Sequence, residues 1–322
     1  MDKISVLMAV YKERIDWVKS AINSIKKQES SNKFLIELII VLDEPSREKE
    51  IFDLLYNSDL SQADNLSLTF IVNKRNIGLA RTLNKAFNAS TGNYIARIDA
   101  DGISYPHRFL TQYLYLRNNP AINFIGSGMT RIDIYGGVMN DVYASNNSEL
   151  IKTKAFYSSV AFHPTWFMKR CVFSMVGGYL PYPNAEDFDF LLRLIEKKII
   201  ISNIPEPLIY YRVNPSSLSN NNALQQRKCQ LFALKEARKR KYNPHHVLCI
   251  KMLESYIKSF SLTEKLHSLS QQDYNTAMKF FLEKKYISAL FLLTQSMIIS
   301  PWQAYNIFRQ VKFITIRKLK WG

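Results

Sequence analysis

Two aspartates stand two residues apart directly after the apolar segment Tyr94–Ile98. Asp99 and Asp101 enclose a single alanine, and side chains two apart in an extended segment project to the same side. Both carboxylates can therefore face one divalent cation. Hard oxygen ligands suit Mg²⁺ or Mn²⁺, and such an ion can bridge the oxygens of a diphosphate. The pair predicts a metal site for a phosphorylated ligand, with an acidic surface loop as the alternative.

A second acidic group begins the segment of residues 184–198. Its apolar residues recur at helical spacing, and Glu186 and Asp187 fall in the first turn of the predicted helix. One interpretation is capping, in which Asn184 and the acids satisfy free N–H groups and offset the helix dipole. The other is chemistry, in which a carboxylate accepts the proton of an attacking hydroxyl as general base. The segment alone leaves both open.

The elements around these acids predict an α/β fold with a mostly parallel sheet covered by helices. Four short apolar runs read as strands, namely Ile4–Val10, Glu37–Leu42, Leu68–Val72 and Tyr94–Ile98. Helix-period segments separate the first run from the second and the third from the fourth. In open α/β sheets ligands bind beyond the carboxyl ends of the strands, where Asp43, Asp99 and Asp101 stand. No glycine-rich phosphate loop is present, so another device, a metal on Asp99 and Asp101, is expected to hold the phosphates.

Several segments together resemble the family 2 glycosyltransferases, in their bacterial polysaccharide branch. They are SVLMAVYKE, IIVLDEPS, NKRNIGLARTLNKAFNASTGNYIARIDADGIS, GGYLPYPNAEDFDFLLRL and YRVNPSSLS, and they span about residues 3–220. The resemblance implies a GT-A fold and an inverting transfer of a sugar from a nucleotide-sugar donor, for which a UDP-hexose is the family expectation. It also implies an enzyme of O-antigen or capsule biosynthesis that acts on a glycan or a polyprenyl-diphosphate-linked acceptor. The odd number of cysteines and the lack of a signal-peptide core favour a cytoplasmic location.

Carried over residue by residue, the resemblance implies roles for specific positions. Asp101 is the principal metal ligand and Asp99 the second, Asp187 is the base, and Glu186 orients the acceptor. Donor-binding positions are Ala9, Val10, Tyr11, Glu13, Asp43, Asn76, Gly78, Arg97, Asp99 and Arg212, with Arg212 on a loop that closes over the diphosphate. The alternatives are an ordinary core strand for residues 9–11, a turn and helix start for residues 76–78, pairing with an acid for Arg97, and an ordinary surface arginine for Arg212. His163 and Trp166 are weaker candidates for acceptor contacts, with a structural histidine and a buried aromatic as their alternatives. The chain departs from the branch where Gly102 follows Asp101 and where Glu44 follows Asp43.

Composition divides the chain into two regions. The 322 residues are 47% hydrophobic and 22% charged, which fits one large or two small globular domains and excludes a disordered or fibrous chain. Residues 221–322 hold 18 basic and 5 acidic side chains. We therefore predict a transferase domain over residues 1–220 and a basic helical extension over residues 221–322. The three cysteines have no CxxC spacing, which favours neither a disulfide framework nor a zinc site.

The basic extension predicts a polyanionic partner. Arg309, Lys312, Arg317, Lys318 and Lys320 lie among apolar residues near the end of the chain, a pattern that suits the anionic inner face of the cell membrane. A solvated helix face is the alternative. No signal-peptide core or spanning helix is expected, so a peripheral membrane position is predicted.

Two other protein classes are alternatives to a glycosyltransferase. A nucleic-acid-binding protein would explain the basic region but leaves the strand-end acids without a purpose, and no recognition motif is visible. A sugar-phosphate nucleotidyltransferase shares the α/β layout and the metal, but it would carry a glycine-rich basic loop after the first strand, where this chain has AVYKERID.

Overall fold

The computed structural model describes residues 1–56, 65–214, 222–259 and 264–321, with side chains described up to residue 314. The chain divides into two compact units. The first contains Met1–Ala155, Ser159–Pro181 and Phe190–Asn214, and the second contains Phe156–Ser158, Tyr182–Asp189 and residues 215–322. The predicted domain boundary after residue 220 lies outside the described residues.

The first unit begins with the predicted alternation of strands and helices. Its first elements are β1 (Asp2–Val10), α1 (Ile15–Lys26), β2 (Phe34–Leu42), α2 (Glu48–Tyr56), β3 (Leu66–Val72), α3 (Leu79–Ala89) and β4 (Tyr94–Arg97). All four strands are parallel neighbours in the order β3-β2-β1-β4. All four predicted strands are confirmed, β4 ending one residue early. Their parallel arrangement needs the helices as crossovers, because parallel strands cannot be joined by a tight turn.

The sheet continues with strands that the sequence reading did not identify. The further elements are β5 (Ile103–Ser104), α4 (Arg108–Asn118), β6 (Phe124–Ile132), β7 (Val138–Val142), α5 (Ser148–Lys154), β8 (Phe167–Lys169), α6 (Arg170–Val176), α7 (Glu186–Glu196) and β9 (Ile201–Arg212). The strand order is β3-β2-β1-β4-β8-β6-β9-β5, with β7 on β6. β8 joins β4 and β6 in antiparallel fashion, while β6 and β9 are parallel.

The core lies on both faces of this sheet. Alternate residues of β1 face opposite sides, so Val6 and Met8 join one apolar cluster with α1, α2 and α4, while Leu7 joins another with α3 and α6. Strands buried on both faces are continuous apolar runs, as β2 illustrates with the sequence FLIELIIVL. Rigid burial of these strands fixes the position of the polar loops that follow them.

The described part of residues 222–321 is mainly helical, as predicted for the extension. Its helices are α8 (Ala223–Tyr242), α9 (Ile250–Lys258), α10 (Glu264–Leu282), α11 (Tyr286–Ile299) and α12 (Pro301–Trp321). Among the described residues, every helix falls short of the length and apolar character needed to span a bilayer.

Candidate active site

The first unit gathers polar residues at the carboxyl edge of its parallel strands. β1, β2 and β4 end at Val10, Leu42 and Arg97, and the pairing of β1 with both neighbours is parallel. The loops that follow these strands therefore leave the sheet at the same edge. They carry Glu13, Asp43, Asp99 and Asp101, so the fold brings together acids that are up to 88 residues apart in sequence.

Three of these acids form a cluster of like charge. Asp101 is partly buried, and burial together with the charges of Asp99 and Glu13 raises its pKa to about 7. Burial also raises the pKa of Glu13, and Asp99 adds to the effect. Two carboxylates that interact this strongly cannot both ionise without cost. We call Glu13, Asp99 and Asp101 the acidic cluster.

One arginine partly offsets the cluster. The Arg97 guanidinium makes an ion pair with Asp99 through Nη2 and Oδ1, and the Arg97 side chain is only 5% exposed. Arg97 also opposes the rise in the pKa of Asp101, although less than burial and the acids promote it. The net electrostatic environment at Asp101 therefore favours a bound proton or cation over a bare carboxylate.

The carboxylates of Asp99 and Asp101 suit a hard divalent cation whose other ligands come from substrate and water. The described residues contain no group of three or more His, Cys, Asp or Glu side chains arranged to hold a metal. Asp99 and Asp101 supply carboxylate oxygens, which Mg²⁺ and Mn²⁺ accept, and Mg²⁺ commonly takes only one or two protein carboxylates beside substrate phosphates and water. The two-carboxylate prediction is compatible with this arrangement.

The loop after β1 has its own internal bonds. The Tyr11 N–H donates to Glu13 Oε2 at 2.7 Å, and Arg47 Nη1 donates to the Tyr11 carbonyl at 2.9 Å. Val10 is fully buried, and its carbonyl accepts the N–H of Asp43 at 2.7 Å. Of the residues predicted to surround the donor base, Val10 therefore presents only backbone, whereas Ala9, Tyr11 and Glu13 are partly exposed.

Asp43 organises the loop of residues 73–78. Its Oδ1 accepts the Ile77 N–H at 2.9 Å and the Asn73 amide at 2.8 Å, and its Oδ2 accepts the Gly78 N–H at 2.9 Å. Asp43 is only 4% exposed. The carboxylate thus holds the loop that carries Asn76, whose side chain is exposed. The predicted contact of Asp43 with the base or ribose stays a prediction beside this observed structural role.

Gly78 stands at the start of α3 in a conformation that other residues rarely adopt. Its φ is +84° and its ψ is 158°, a region that is essentially restricted to glycine. This conformation directs the N–H groups of residues 77 and 78 toward Asp43. The type of residue at position 78 is therefore explained by backbone geometry, whatever its part in binding a donor.

Arg212 lies at the end of β9 next to the acidic cluster. Its Nη1 donates to the Asp133 carbonyl at 3.0 Å, and its Nε donates to the Asp101 carbonyl at 3.3 Å. The guanidinium also stacks over Trp17 at 4.9 Å. Arg212 is the last residue of β9, which pairs with β6 through Arg212 itself, and its predicted role in a loop that closes over the diphosphate stays a prediction. The segment of residues 215–219 lies outside the described residues.

Arg108 is a central residue that the sequence reading missed. It is fully buried, and burial lowers its pKa to about 9. Its guanidinium donates to the carbonyls of Arg97 at 2.7 Å and Pro164 at 3.0 Å, to Ser104 Oγ at 3.0 Å and to Gln112 Oε1 at 3.1 Å. Arg108 thus ties α4 to the end of β4, directly before Asp99 and Asp101. An arginine at a helix start carries no sequence signal of such burial.

Tyr211 was also missed, but for a different reason. Burial and the charges of Asp99 and Asp101 raise its pKa to about 12. The residue belongs to β9, which the local pattern did not identify, and only the long-range pairing of β9 brings it near the acidic cluster.

His163 and Trp166 belong to a packed aromatic group. Trp166 is fully buried and contacts Phe124, His163 and Phe190. His163 Nε2 and the Tyr179 hydroxyl share a hydrogen bond of 2.7 Å, and burial lowers the pKa of His163 well below its ordinary value. These contacts correspond to the structural alternatives stated for both residues, and their acceptor roles stay predictions.

The predicted base lies in the first turn of α7, within the second unit. Glu186 is buried, and Asp187 is partly exposed, with its Oδ1 accepting the Phe188 N–H at 2.7 Å. Asn184 has a left-handed backbone with φ of 57°, and its amide donates to Gln225 Oε1 at 3.0 Å. Asp189 of the same turn is fully buried and pairs with Arg240 at 3.5 Å. Within this turn, Asp189 therefore has a structural role, whereas Asp187 is partly exposed.

Comparison with known proteins places this geometry in a family. An uncharacterized glycosyltransferase of Methanocaldococcus jannaschii is 32% identical over 218 residues, which cover 66% of this chain and 72% of the relative. The O-antigen biosynthesis glycosyltransferase WbnJ of Escherichia coli is 29% identical over 253 residues, which cover 78% of this chain and 94% of WbnJ.

Solved structures share the fold. The mannosyltransferase PcManGT of Pyrobaculum calidifontis, in complex with GDP-Man and Mn²⁺, matches 99% of this chain and 87% of its own with a TM-score of 0.57 and 14% identity. Staphylococcus aureus TarS 1-349 with UDP-GlcNAc matches 97% of this chain and 89% of its own with a TM-score of 0.53 and 15% identity. The chain spans 54% of a longer TarS chain. The predicted GT-A fold is confirmed.

The family model described as glycosyl transferase family 2 matches residues 5–175. This segment includes β1 to β4, the acidic cluster and Arg108, and it decides between the glycosyltransferase and nucleotidyltransferase readings of the sequence. The chain belongs to glycosyl transferase family 2.

Proposed function

We propose that this protein transfers a hexose, with inversion, from a nucleotide-diphosphate sugar to a hydroxyl of a glycan or polyprenyl-diphosphate-linked acceptor. UDP is the proposed nucleotide, and a surface polysaccharide such as O-antigen or capsule is the proposed product. The family relation supports sugar transfer in general, and the relative WbnJ carries the name of an O-antigen biosynthesis enzyme.

The observation that carries the proposal is the acidic cluster at the carboxyl edge of the parallel strands. Burial and the charges of Asp99 and Glu13 raise the pKa of Asp101 to about 7, which is an unfavourable arrangement for the ionised carboxylate without a cation. Perturbed acids gathered at the edge where α/β sheets bind ligands are a mark of a functional site.

Asp101 and Asp99 would hold a Mg²⁺ or Mn²⁺ ion. Their oxygens fit this class of ion, and the like charge around Asp101 would be relieved by it. When bound, the ion would neutralise charge that develops on the departing diphosphate. PcManGT was solved with GDP-Man and Mn²⁺, which agrees with the proposed type of cofactor.

The remaining donor contacts are proposed for residues of the same edge. Arg97 holds Asp99 through their ion pair and so would orient one ligand. Arg212 would offer its positive charge to the diphosphate from the end of β9. Ala9, Val10, Tyr11 and Glu13 would surround the base, while Asp43 would position Asn76 and Gly78 through the loop bonds it accepts.

Asp187 is the proposed general base. It would take the proton from the acceptor hydroxyl while that oxygen attacks the anomeric carbon on the side opposite the diphosphate, which inverts the configuration. Glu186 would orient the acceptor, and His163 and Trp166 stay weaker candidates for acceptor contacts. Asp187 is partly exposed, whereas Asp189 of the same turn is fully buried, and this difference in access favours Asp187.

A lipid-linked acceptor would place the enzyme at the inner face of the cell membrane. The excess of basic residues after residue 220 supports attraction to anionic lipid. Arg309 is not available for this purpose, because it is buried and donates to the Phe156 carbonyl. The membrane contact is therefore proposed for other residues of the second unit.

The decisive experiment incubates the purified protein with a panel of nucleotide-sugars and measures released nucleoside diphosphate. We expect release from a UDP-hexose in Mg²⁺ or Mn²⁺, loss of release in EDTA, and recovery when the metal is restored. Asp101→Asn should abolish release, whereas the matched control Glu48→Gln, an exposed acid of α2, should not. Equal release in EDTA would overturn the metal-dependent mechanism.

The stereochemistry is read from the product. Once an active donor is found, NMR of the transferred sugar with a soluble acceptor analogue should give the anomer opposite to that of the donor. A product that retains the donor configuration would refute the role of Asp187 as base in a single displacement.

A further inference from the structure

The hairpin of α10 and α11 buries small residues and exposes large apolar ones. The two helices pack against each other, and their buried residues include Ala277 and Ser270 on α10 and Ala289 and Ser296 on α11. Ser270 Oγ donates to the Ser296 carbonyl at 2.8 Å, and Ser296 Oγ donates to the Ser270 carbonyl at 2.7 Å. Burial of alanine and serine removes little apolar area from water.

The outer face of the hairpin is the apolar one. Ile287 is 89% exposed and Leu282 is 81% exposed, while Leu290, Phe291 and Ile298 are also exposed. Residues 287, 291 and 298 recur at helical spacing, so they lie on one side of α11. A helix of a water-soluble protein normally turns its large apolar side to the core. The hairpin has the reverse arrangement, which is the packing that helices use in lipid.

α12 repeats the pattern. Its exposed residues include Phe308, Val311 and Ile314, while Gln303 and Asn306 are buried. α11 and α12 therefore bury several polar or small side chains and expose several large apolar ones, although Phe313 of α12 is buried. Exposure of large apolar side chains on two successive helices indicates a surface that contacts an apolar environment.

Basic residues surround the tip between α10 and α11. Lys279 and Lys285 flank Glu283 at 4.0 Å and 2.8 Å, and Lys284 stands between them. After Glu283 the chain has seven Lys or Arg and no acidic residue. Lys284 has a φ of 62° at the end of α10, where glycine is the easier residue. Lys284 therefore occupies a position of the tip whose backbone conformation favours glycine.

From these observations we infer that the α10–α11 hairpin inserts shallowly into an anionic lipid bilayer. The apolar side chains Leu282, Ile287, Leu290 and Phe291 enter the acyl region, and Lys279, Lys284 and Lys285 contact lipid phosphates. α11 has 14 residues, or about 21 Å at the helical rise, which is shorter than the hydrocarbon core. The helix therefore lies at the interface. The inference deepens the proposed membrane position and names its site, independently of the transfer chemistry.

The test measures binding of the full-length protein to vesicles of phosphatidylcholine, alone or mixed with phosphatidylglycerol. Wild type should sediment with the mixed vesicles much more than with phosphatidylcholine alone. A fourfold serine variant carries Leu282→Ser, Ile287→Ser, Leu290→Ser and Phe291→Ser. Its affinity for the mixed vesicles should fall roughly tenfold or more at any salt concentration. The variant Lys279→Gln/Lys284→Gln/Lys285→Gln should lose roughly tenfold at low salt and less at high salt.

A matched control removes exposed apolar residues elsewhere. Tyr135→Ser/Val138→Ser changes two exposed residues at β7 and the turn before it and should bind vesicles like wild type. Ile287→Trp gives a second readout, since its fluorescence should shift to the blue with mixed vesicles, whereas that of Tyr135→Trp should not.

The outcomes separate the inference from the proposed function. If wild type and the fourfold serine variant bind vesicles equally, insertion of the hairpin is refuted, while the proposed membrane position of the enzyme stands. If wild type binds no vesicle, both fail. If the wild-type protein is a dimer that the serine variant converts to a monomer, and vesicle binding is unchanged, the apolar face serves a second copy and the inference is overturned. Nucleotide-sugar turnover in detergent-free buffer should be unchanged in all of these variants, which shows that they fold.

Discussion

Replacing Asp101 by Asn should stabilise the metal-free protein while removing its activity. Burial and the charges of Asp99 and Glu13 raise the pKa of Asp101 from 3.8 to about 7, so the ionised carboxylate lowers the free energy of unfolding. This rise sets an upper limit of about 4 kcal/mol on that loss. Because Asp101 is partly exposed, solvent screening reduces the expected gain of the Asn variant to roughly 1–2 kcal/mol.

The sign follows from protonation of the two states. Below pH 3.8 the carboxyl is protonated in both the folded and the unfolded chain, and it does not lower the free energy of unfolding. Between pH 3.8 and about 7 the folded chain holds the proton more strongly, so stability falls as the pH rises. Above about pH 7 the loss is complete. At pH 5 the Asn variant should therefore have only about a third of the advantage that it has at pH 8.

Thermal unfolding in EDTA measures this effect. At pH 8 the Tm of Asp101→Asn should exceed that of wild type by roughly 2–8 °C, and the difference should shrink at pH 5. Mn²⁺ should raise the Tm of wild type and not that of the variant. The control Asp133→Asn should have no such gain, because backbone N–H groups of Gly137 and Tyr135 lower the pKa of Asp133. An Asp101→Asn protein that melts at or below the wild-type Tm at pH 8 would refute the reasoning.

Three further predictions concern single residues. Asp187→Asn should keep the wild-type circular dichroism and lose on the order of 10²–10⁴-fold in kcat for sugar transfer, while Glu196→Gln at the other end of α7 should retain activity; near-normal turnover would remove Asp187 from its role. Gly78→Ala should lower the free energy of unfolding by about 1–3 kcal/mol in urea, because its φ is +84°, and an unchanged midpoint would contradict the argument from backbone geometry. Arg108→Met should cost about 3–5 kcal/mol by leaving the buried partners of the guanidinium without a donor, and a Tm equal to wild type would show that the network is dispensable.

The local pattern was sufficient for the first half of the sheet and for the acids at its edge. Residues 4–10 and 37–42 are predicted as strands because each is a short apolar run bounded by polar residues. Such a run is the local signature of a parallel strand that is buried on both faces. The positions of Asp43, Asp99 and Asp101 at strand ends follow directly. β8, with three residues, and β9, with Pro205 and Pro207 inside it, have no such local signal.

What the sequence by itself determined is therefore the order of elements, the family, and the acids that the carboxyl edge carries. Only the tertiary structure decided how these residues act on one another. The pairing of β9 with β6 brings Arg212 and Tyr211 toward Asp101, and the docking of α4 buries Arg108 beneath β4. The same holds for α11, whose composition is apolar on several sides, and only its packing through Ala289 and Ser296 shows that the large side chains face outward. The physical reason is that periodicity reports local backbone geometry, whereas burial, pKa and exposure depend on contacts between distant segments.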